Sequence, residues 1–369
     1  MQITRVHIQN YKSLYDVPID GLKPLTIFVG PNDSGKSAIL QSILLSGGVD
    51  EREWRSLVPA FSEVISHGRQ SEPVRLELHL TLDDFARSTL FDAVAELSRD
   101  PLDWRLDPHL AAAFDRRLFQ HIQCLFVWGG EGAPELQKLE TTLPDATQAM
   151  LRQIVPGHGV IVDLPLGYIL DNRDNLESAL KTGSGAQQTG GPLLSTWLIS
   201  RFKERLAFIH GTRRPAGQGE LVVSPTLERD GSNLLAVLSH LRDHDSRAFD
   251  AVLRVMPRLV VEAGQIGFRP RERLQSLVFE VARQIEEGLD HKGAGVGDLL
   301  VLVTGILSKS HSITLLEEPE AHLHPGAQRE FVAWLRELAD GGRQFIMTTH
   351  SPALLGAVGS LEIWPKSGG

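Results

Sequence analysis

The chain has 369 residues, of which 42% are hydrophobic, so it can bury a substantial core and form about two domains. Its formal net charge of −9 argues against a surface coated in positive charge that would bind nucleic acid indiscriminately. A single cysteine, Cys124, excludes an internal disulfide, and no apolar run is long enough to span a bilayer, so we expect a cytoplasmic protein without membrane contact and with a buried, unreactive thiol.

The first predicted elements surround a glycine-rich loop. Strands are predicted at 4–8 and 25–29, and the second is wholly apolar, as expected for a strand buried on both faces. The loop "GPNDSGKS" at 30–37 follows directly, and residues 37–45 have helical spacing. Strand, glycine loop and helix in this order are the context that a phosphate-binding loop requires. Residues 74–82 then alternate as in a half-exposed strand.

The loop has the residue types that ATP and Mg²⁺ need. Its two glycines let successive backbone N–H groups point at phosphate oxygens, and the following helix adds the positive end of its dipole. Lys36 would neutralise the β- and γ-phosphates, and Ser37 would offer its hydroxyl to Mg²⁺. Asp33 stands where glycine is common, but aspartate tolerates left-handed dihedrals. The predicted nucleotide-binding residues of the loop are Gly30, Asn32, Asp33, Ser34, Gly35, Lys36, Ser37 and Ala38.

The middle of the chain is less regular. Residues 84–118 are predicted to be largely helical, 121–128 and 205–211 to be strands, and 182–191 a flexible loop. Residues 230–233 offer capping side chains to a helix that begins at 234, and strands are predicted near 258–268 and 276–283. We find neither internal repeats nor coiled-coil heptads.

Residues 312–355 predict a strand, a turn, a helix and a second strand. Glu317 and Glu318 end the first strand, Gly341 and Gly342 end the helix, and His350 ends the second strand. Because neighbouring side chains of a strand point to opposite faces, the two glutamates should serve different purposes, one in the Mg²⁺ shell and one on the attacking water. His350 could reach the γ-phosphate or that water.

Four motifs carry a family resemblance. They are "IQNYKSL" at 8–14, the loop at 30–37, "EEPEAHLHP" at 317–325 and "THSP" at 349–352. Together they resemble an ABC-type ATPase head of the group that contains the SMC and RecF proteins, and especially the OLD-family (overcoming lysogenization defect) ATPases. The resemblance implies an α/β P-loop NTPase of the ABC-ATPase type, with a mixed central sheet, flanking helices and an irregular helical insertion.

The domain boundaries and the function of each residue follow from this resemblance. The ATPase domain would consist of 1–83 and 226–369, with a mostly helical insertion at 84–225 that matches the family only loosely. Glu317 falls on the Mg²⁺-linked Walker B acid, which is aspartate in most relatives, Glu318 on the catalytic glutamate and His350 on the switch histidine. Lys12 and Ser13 would add nucleotide contacts. The sequence does not place a Q-loop glutamine.

The resemblance also implies a homodimer. "KGAGVGD" at 292–298 lies where such ATPases have the signature motif, which binds the γ-phosphate of the opposite subunit. The usual serine is missing, so the match rests on Gly293, Gly295 and Gly297. Two ATP molecules would then be sandwiched between the Walker A loop of one chain and this segment of the other.

Three functions compete at this point. The preferred one is a DNA-linked ATPase in DNA maintenance or anti-phage defence; a second is a protein-gated regulatory subunit that controls a separate nuclease or toxin without binding DNA. A transporter subunit is least favoured, because the signature lacks serine and a long insertion interrupts the first half. OLD nucleases carry a Toprim domain after "THSP", and only fourteen residues follow Leu355 here, so we expect nuclease chemistry to come from a partner, to be unnecessary, or to have been lost by truncation of the C-terminus. The candidate nucleic-acid contacts, for which a solvated loop is an equal explanation, are Arg213, Arg214, Arg269 and Arg271.

Overall fold

The structure is a computed structural model that describes residues 1–31, 33–46, 65, 72–83, 121–129, 134–141, 200–220, 222–260, 264–271, 274–282, 285–308, 313–356 and 362–363. It divides into two compact units. The first comprises Met1–Leu22 and Gln41–Glu204, and the second comprises Lys23–Leu40 and Arg205–Gly369. The predicted helices at 84–118 and the loop at 182–191 lie outside the described residues, and the three-part division of the sequence stays a prediction.

The described strands are, in chain order, β1 (Gln2–Tyr11), β2 (Leu14–Asp20), β3 (Leu25–Val29), β4 (Val74–Thr81), β5 (His121–Trp128), β6 (Glu135–Thr141), β7 (Leu206–Ile209), β8 (Gln218–Glu220), β9 (Gln265–Arg271), β10 (Leu274–Ala282), β11 (Ile285–Gly288), β12 (Ile313–Glu317), β13 (Gln344–Thr349) and β14 (Glu362–Ile363). The helices are α1 (Lys36–Leu45), α2 (Leu234–His244), α3 (Ser246–Leu259), α4 (Ala294–Leu307), α5 (Pro325–Asp340) and α6 (Pro352–Leu355). A short 3₁₀ turn, Leu289–His291, precedes α4.

The first unit contains an antiparallel sheet with the order β2-β1-β4-β5-β6. Burial alternates along β4, as the alternating sequence predicts for a half-exposed strand. Cys124 on β5 is buried as predicted, and this burial raises the pKa of its thiol to about 12. β4 and β5 therefore each bury one face of the sheet.

The second unit contains a parallel sheet with the order β14-β3-β13-β12-β7. β12 and β13 are buried along their whole length, as their apolar sequences require. Because all five strands run in the same direction, their carboxyl ends lie along one edge. That edge receives the glycine loop after β3, His350 after β13, the two glutamates at the end of β12, and His210 after β7.

Two helices of this unit, α4 and α5, pack into its core. α4 is apolar on nearly every side, and Leu299 to Ile306 are all buried, so it lies within the core. α5 buries Phe331, Val332 and Leu335 on one face. It ends at Gly341, and Gly342 follows with a φ of 97°, so the predicted glycine stop is confirmed.

A second sheet in this unit has the order β11-β10-β8, with β9 also paired to β10. The predicted strand near 258–268 is wrong in its first part, because α3 continues to Leu259 and β9 begins only at Gln265. Val252, Met256 and Leu259 are buried at helical spacing, and the Asp245 side chain accepts a hydrogen bond from the Ala248 N–H at the helix start. The helical period therefore decides this segment.

The predicted capping of α2 is also different in detail. Asn233 occupies the N-cap position, but its side chain makes no capping hydrogen bond. Its Oδ1 instead accepts from the Glu228 N–H at 2.8 Å, and its Nδ2 donates to the Thr226 carbonyl at 2.9 Å. The side chain thus stabilises the loop before the helix.

In the part of the chain that the structure describes, no helix is both long and apolar enough to cross a membrane.

Candidate active site

The glycine loop joins β3 to α1 in the predicted context. Asp33 has a φ of 61° and Gly35 a φ of 90°, so Asp33 adopts the left-handed conformation that its residue type permits. Lys36 is buried, and its Nζ donates to the carbonyls of Gly30 at 2.9 Å and Pro31 at 2.7 Å. Burial lowers the pKa of Lys36, and the Glu318 carboxylate opposes that shift. The loop is therefore folded around its own lysine, and this lysine lies close to Glu318.

Glu318 and His350 form a direct pair at the edge of the sheet. His350 Nε2 lies 3.0 Å from Glu318 Oε1, and both side chains are partly exposed. Glu318 has a φ of 42°, and its N–H donates to the carbonyl and to the hydroxyl of Thr348 on β13, each at 3.2 Å. A carboxylate held beside an imidazole and open to solvent is suited to orient water and to accept its proton.

Glu317 contacts a different set of groups. Its Oε2 lies 3.3 Å from His210 Nε2 and accepts from the Gly211 N–H at 3.4 Å. The two glutamates therefore diverge as predicted, but for another reason: Glu318 leaves the strand in a left-handed turn, so strand alternation does not separate them. Gly211 permits this approach, since an added Cβ would lie 3.3 Å from the Glu317 carbonyl oxygen.

His210 was not predicted from the sequence. It follows β7, which pairs in parallel with β12, so it lies at the same edge as Glu317. The available signal was the predicted strand at 205–211, whose carboxyl end had to lie at one edge of the sheet. What the sequence could not supply was the neighbour of that strand.

Glu320 is a second residue that sequence reasoning missed. Its Oε1 accepts from the hydroxyl of Thr349 and from the His350 N–H at 2.8 Å. It therefore fixes the backbone at the residue that faces Glu318. The signal was the last acid of "EEPE", but from its position alone this acid could equally belong to a solvated turn.

The residues at this edge fit a nucleotide and Mg²⁺. The Lys36 ammonium already lies between two carbonyl oxygens, so oxygen acceptors of a phosphate fit beside it. Ser37 offers a hydroxyl and Glu317 a carboxylate, and Mg²⁺ prefers oxygen ligands of this kind. The donor set is consistent with the predicted cofactors.

The remaining predicted nucleotide contacts are less informative. Asn32 lies outside the described residues. Lys12, in the first unit, has a φ of 50° and donates from Nζ to Gln41 Oε1 at 2.6 Å, while Ser13 is exposed. Ala38 is buried in α1. Their contact with a nucleotide stays a prediction.

The three signature-like glycines differ from one another. A Cβ on Gly293, the N-cap of α4, would meet nothing within 4 Å. A Cβ on Gly295 would lie 2.3 Å from the carbonyl oxygen of His322, and one on Gly297 would lie 2.9 Å from Pro215 Cγ. Close packing within the chain therefore explains two of the three glycines, and Gly293 alone faces open space.

The four arginines predicted to contact nucleic acid differ in their exposure. For Arg213 the prediction is wrong, because its side chain is 0% exposed and bonded to carbonyl oxygens. Arg269 is exposed but forms two hydrogen bonds to Glu286, the Nε bond at 2.8 Å. Arg214 is exposed, and the Arg271 side chain lies outside the described part of the chain.

Comparisons with known proteins match both ends of the chain. A family model described as "AAA ATPase domain" matches residues 1–55, and one described as "AAA domain, putative AbiEii toxin, Type IV TA system" matches residues 293–356. The DNA replication and repair protein RecF of Acinetobacter baylyi is 43% identical over 60 residues, which are 16% of this chain and 16% of that protein. The corresponding protein of Acinetobacter baumannii is 40% identical over 60 residues, again 16% of each chain. The chain thus covers only a small part of these relatives.

A solved structure matches over nearly the whole length. An SMC head bound to the C-winged helix domain of ScpA has a TM-score of 0.52 and 15% sequence identity, over 98% of this chain and 94% of that one. The fold is therefore that of an SMC head, and the predicted P-loop α/β class is confirmed.

The fold is that of a P-loop ATPase head, and two segments of the chain match models of AAA ATPase domains. One matched segment contains the phosphate loop, and the other contains both glutamates and His350. The finer resemblance to OLD-family ATPases stays a prediction.

Proposed function

We propose that this chain hydrolyses ATP with Glu318 as catalytic base, dimerises around two ATP molecules, and serves DNA maintenance or anti-phage defence. The observation that carries the proposal is the contact of 3.0 Å between Glu318 and His350, at the edge where Lys36 and Glu317 also lie. Three motifs that are distant in the sequence thus supply residues to one site.

Substrate binding begins at the loop. The backbone N–H groups of the loop and Lys36 hold the phosphates, and Lys36 exchanges its contacts with the Gly30 and Pro31 carbonyls for phosphate oxygens. Ser37 and Glu317 would hold Mg²⁺, which would supply positive charge against the phosphates. His210 holds the Glu317 carboxylate in place from the neighbouring strand.

Hydrolysis then depends on Glu318. Its carboxylate orients the water that attacks the γ-phosphate and accepts the proton, while His350 keeps one carboxylate oxygen in position. Glu320 holds the backbone of His350 through its N–H. The catalytic residue is therefore supported by both neighbours along the edge.

Dimerisation would complete the site. α4 presents the N-terminus of a 14-residue helix, and Gly293 leaves open space there. Helix N-termini favour anions, so the γ-phosphate of a partner's ATP fits this position. The resemblance to ABC-type heads supports the same arrangement.

The purpose of hydrolysis is inferred from the matched relatives. The two curated relatives are named as DNA replication and repair proteins, which favours DNA as a partner. A second candidate, a regulatory ATPase that controls a separate nuclease or toxin, is favoured by the toxin-system description of the model that matches 293–356. The burial of Arg213 and the pairing of Arg269 also reduce the surface available to DNA.

The dimer is tested with Glu318→Gln, which keeps the shape of the side chain but removes the base. We expect light scattering to find this variant dimeric at saturating ATP and monomeric without it, because bound ATP is no longer consumed. Lys36→Ala, which loses the phosphate contact, serves as the control and should stay monomeric in both conditions. A Glu318→Gln variant that remains monomeric at saturating ATP would contradict the sandwich.

A further inference from the structure

Arg213 is a buried cation in the second unit, on the loop after β7. Its side chain is 0% exposed, and burial lowers the pKa of its guanidinium, with Asp298 as the main opposing charge. NH1 donates to the His210 carbonyl at 3.1 Å, and NH2 donates to the carbonyls of Glu318 at 3.3 Å and Pro319 at 3.5 Å. Nε lies 3.8 Å from Asp298 Oδ2. Burying a charged guanidinium costs desolvation free energy, which its hydrogen-bond acceptors must offset. These acceptors therefore show which parts of the chain Arg213 holds in place.

Two of these acceptors, the carbonyls of Glu318 and Pro319, belong to the turn 318–322 that follows β12. Glu318 has a φ of 42°, in a region that side chains other than glycine rarely occupy. Such a conformation persists only where the surrounding structure fixes it. The Thr348 backbone and hydroxyl hold the N–H of Glu318 from one side, and Arg213 holds its carbonyl from the other.

The other end of the contact lies on α4. Asp298, in the first two turns of α4, is buried, and its Oδ2 lies 2.7 Å from His322 Nδ1. His322 ends the turn that begins at Glu318, and it is also left-handed, with a φ of 61°. Asp298 is therefore the counter-ion of Arg213 and an anchor of the same turn.

We propose that Arg213 is a positioning residue for ATP hydrolysis, which holds the turn 318–322 so that Glu318 faces His350 and the reacting water. It does this through the Glu318 and Pro319 carbonyls, with Asp298 as its counter-ion on α4. The inference rests on the proposed role of Glu318 as catalytic base. It assigns to the loop after β7 a function that neither an exposed arginine pair nor a nucleic-acid contact would explain.

The test compares Arg213→Met and Arg213→Lys with Arg254→Met, which makes the same change on the exposed face of α3. For each variant, kcat and KM for ATP, the Kd of a fluorescent ATP analogue with Mg²⁺, and the Tm are measured. We expect kcat to fall on the order of 100-fold in Arg213→Met, because a small displacement of a catalytic group has that effect. Nucleotide Kd should stay within about twofold, since the hydrogen bonds of Arg213 go to the carbonyls of His210, Glu318 and Pro319 and not to the described residues of the phosphate loop.

Arg213→Lys keeps the charge and decides the matter if Arg213→Met does not fold. One ammonium cannot replace a guanidinium that spans three carbonyls and a carboxylate, so kcat should still fall about tenfold with an unchanged Kd. Asp298→Asn should lower kcat in the same direction.

The outcomes separate this inference from the proposed function. If Arg213→Lys keeps the kcat of Arg254→Met while Glu318→Gln is inactive, the inference is wrong and the catalytic assignment stands. Equal losses in kcat and in nucleotide affinity would also overturn it, because they indicate a general scaffold role. If Glu318→Gln hydrolyses ATP at the wild-type rate, the proposed function itself fails.

Discussion

Glu317 and Glu318 are adjacent in the chain but contact different groups. Glu317 is mostly buried and faces His210, whereas Glu318 is half exposed and faces His350. The left-handed backbone at Glu318 causes this separation, since it turns the chain out of β12 directly after Glu317. The two carboxylates should therefore be separable by experiment.

Glu317→Gln and Glu318→Gln should have opposite profiles. We expect Glu317→Gln to raise the Mg²⁺ concentration needed for nucleotide binding by on the order of tenfold or more, because a metal ligand is lost. Glu318→Gln should leave that concentration unchanged and lower turnover by roughly 10²- to 10⁴-fold, the usual contribution of a general base. Titration of a fluorescent ATP analogue with Mg²⁺, together with a turnover assay, measures both effects.

The control is Glu330→Gln, an exposed change on α5 next to Arg258. It should alter neither the Mg²⁺ dependence nor the turnover. If both variants at the end of β12 shift the Mg²⁺ dependence equally, the division of roles between the two glutamates is wrong.

The sequence identifies the residues that its motifs contain, but it does not identify their supports. Lys36, Glu317, Glu318 and His350 could be assigned from their motifs and the family resemblance, and the contacts of the structure bring them to one edge. Arg213 could not, because an arginine pair in a loop predicts a solvated surface. Its side chain is buried where it donates a hydrogen bond to the Glu318 carbonyl, which lies more than a hundred residues further along the chain.

At the scale of elements, the start of α4 contains two glycines with different surroundings. Gly295 lies against the His322 carbonyl, so its lack of a side chain serves packing within the chain. Gly293 has free space around it, so its lack of a side chain has no such cause. The glycine pattern alone does not distinguish these two cases.

Gly295→Ala and Gly293→Ala test this difference. An alanine at 295 would collide with a backbone oxygen, so we expect a loss of about 1–3 kcal/mol in the free energy of unfolding. An alanine at 293 should cost less than about 1 kcal/mol, the usual range for a changed N-cap, but it should weaken ATP-driven dimerisation if Gly293 receives the partner's phosphate. Denaturant unfolding and light scattering give the two readouts.

A Gly293→Ala protein that dimerises like the wild type would remove Gly293 from the proposed interface. A Gly295→Ala protein with wild-type stability would show that α4 shifts away from His322 at little cost.

Hydrophobic periodicity predicts the elements with one clear period. β4 alternates and α5 has one apolar face, and both have the predicted type. The region near 258 misleads, because the last turn of α3 and β9 together resemble one apolar segment. The packing of Met256 and Leu259 into the core decides between the two.

At the scale of the whole molecule, the two ends of the chain are brought together by sheet topology. β3 comes from the segment matched at 1–55, and β12 and β13 come from the segment matched at 293–356. Because β13 lies between β3 and β12, His350 lies between the phosphate loop and the glutamates. The sequence predicts both motifs, and the strand order explains why they form one site.

The partner of the ATPase is the part that neither motifs nor fold determine. Whether DNA or a protein controls turnover depends on surface contacts, and three of the four predicted arginines are buried, paired or outside the described residues. A functional assay therefore has to decide between the two candidate functions.

The most direct measurement is ATP turnover by the wild type and by Glu318→Gln, each with and without double-stranded DNA over a range of salt. We predict that the wild type hydrolyses ATP, that DNA raises this rate in a salt-sensitive manner, and that Glu318→Gln loses roughly 10²- to 10⁴-fold in rate. Wild-type turnover that ignores DNA would favour the protein-gated regulator. Wild-type rates in Glu318→Gln would contradict the central claim that this glutamate is the catalytic base.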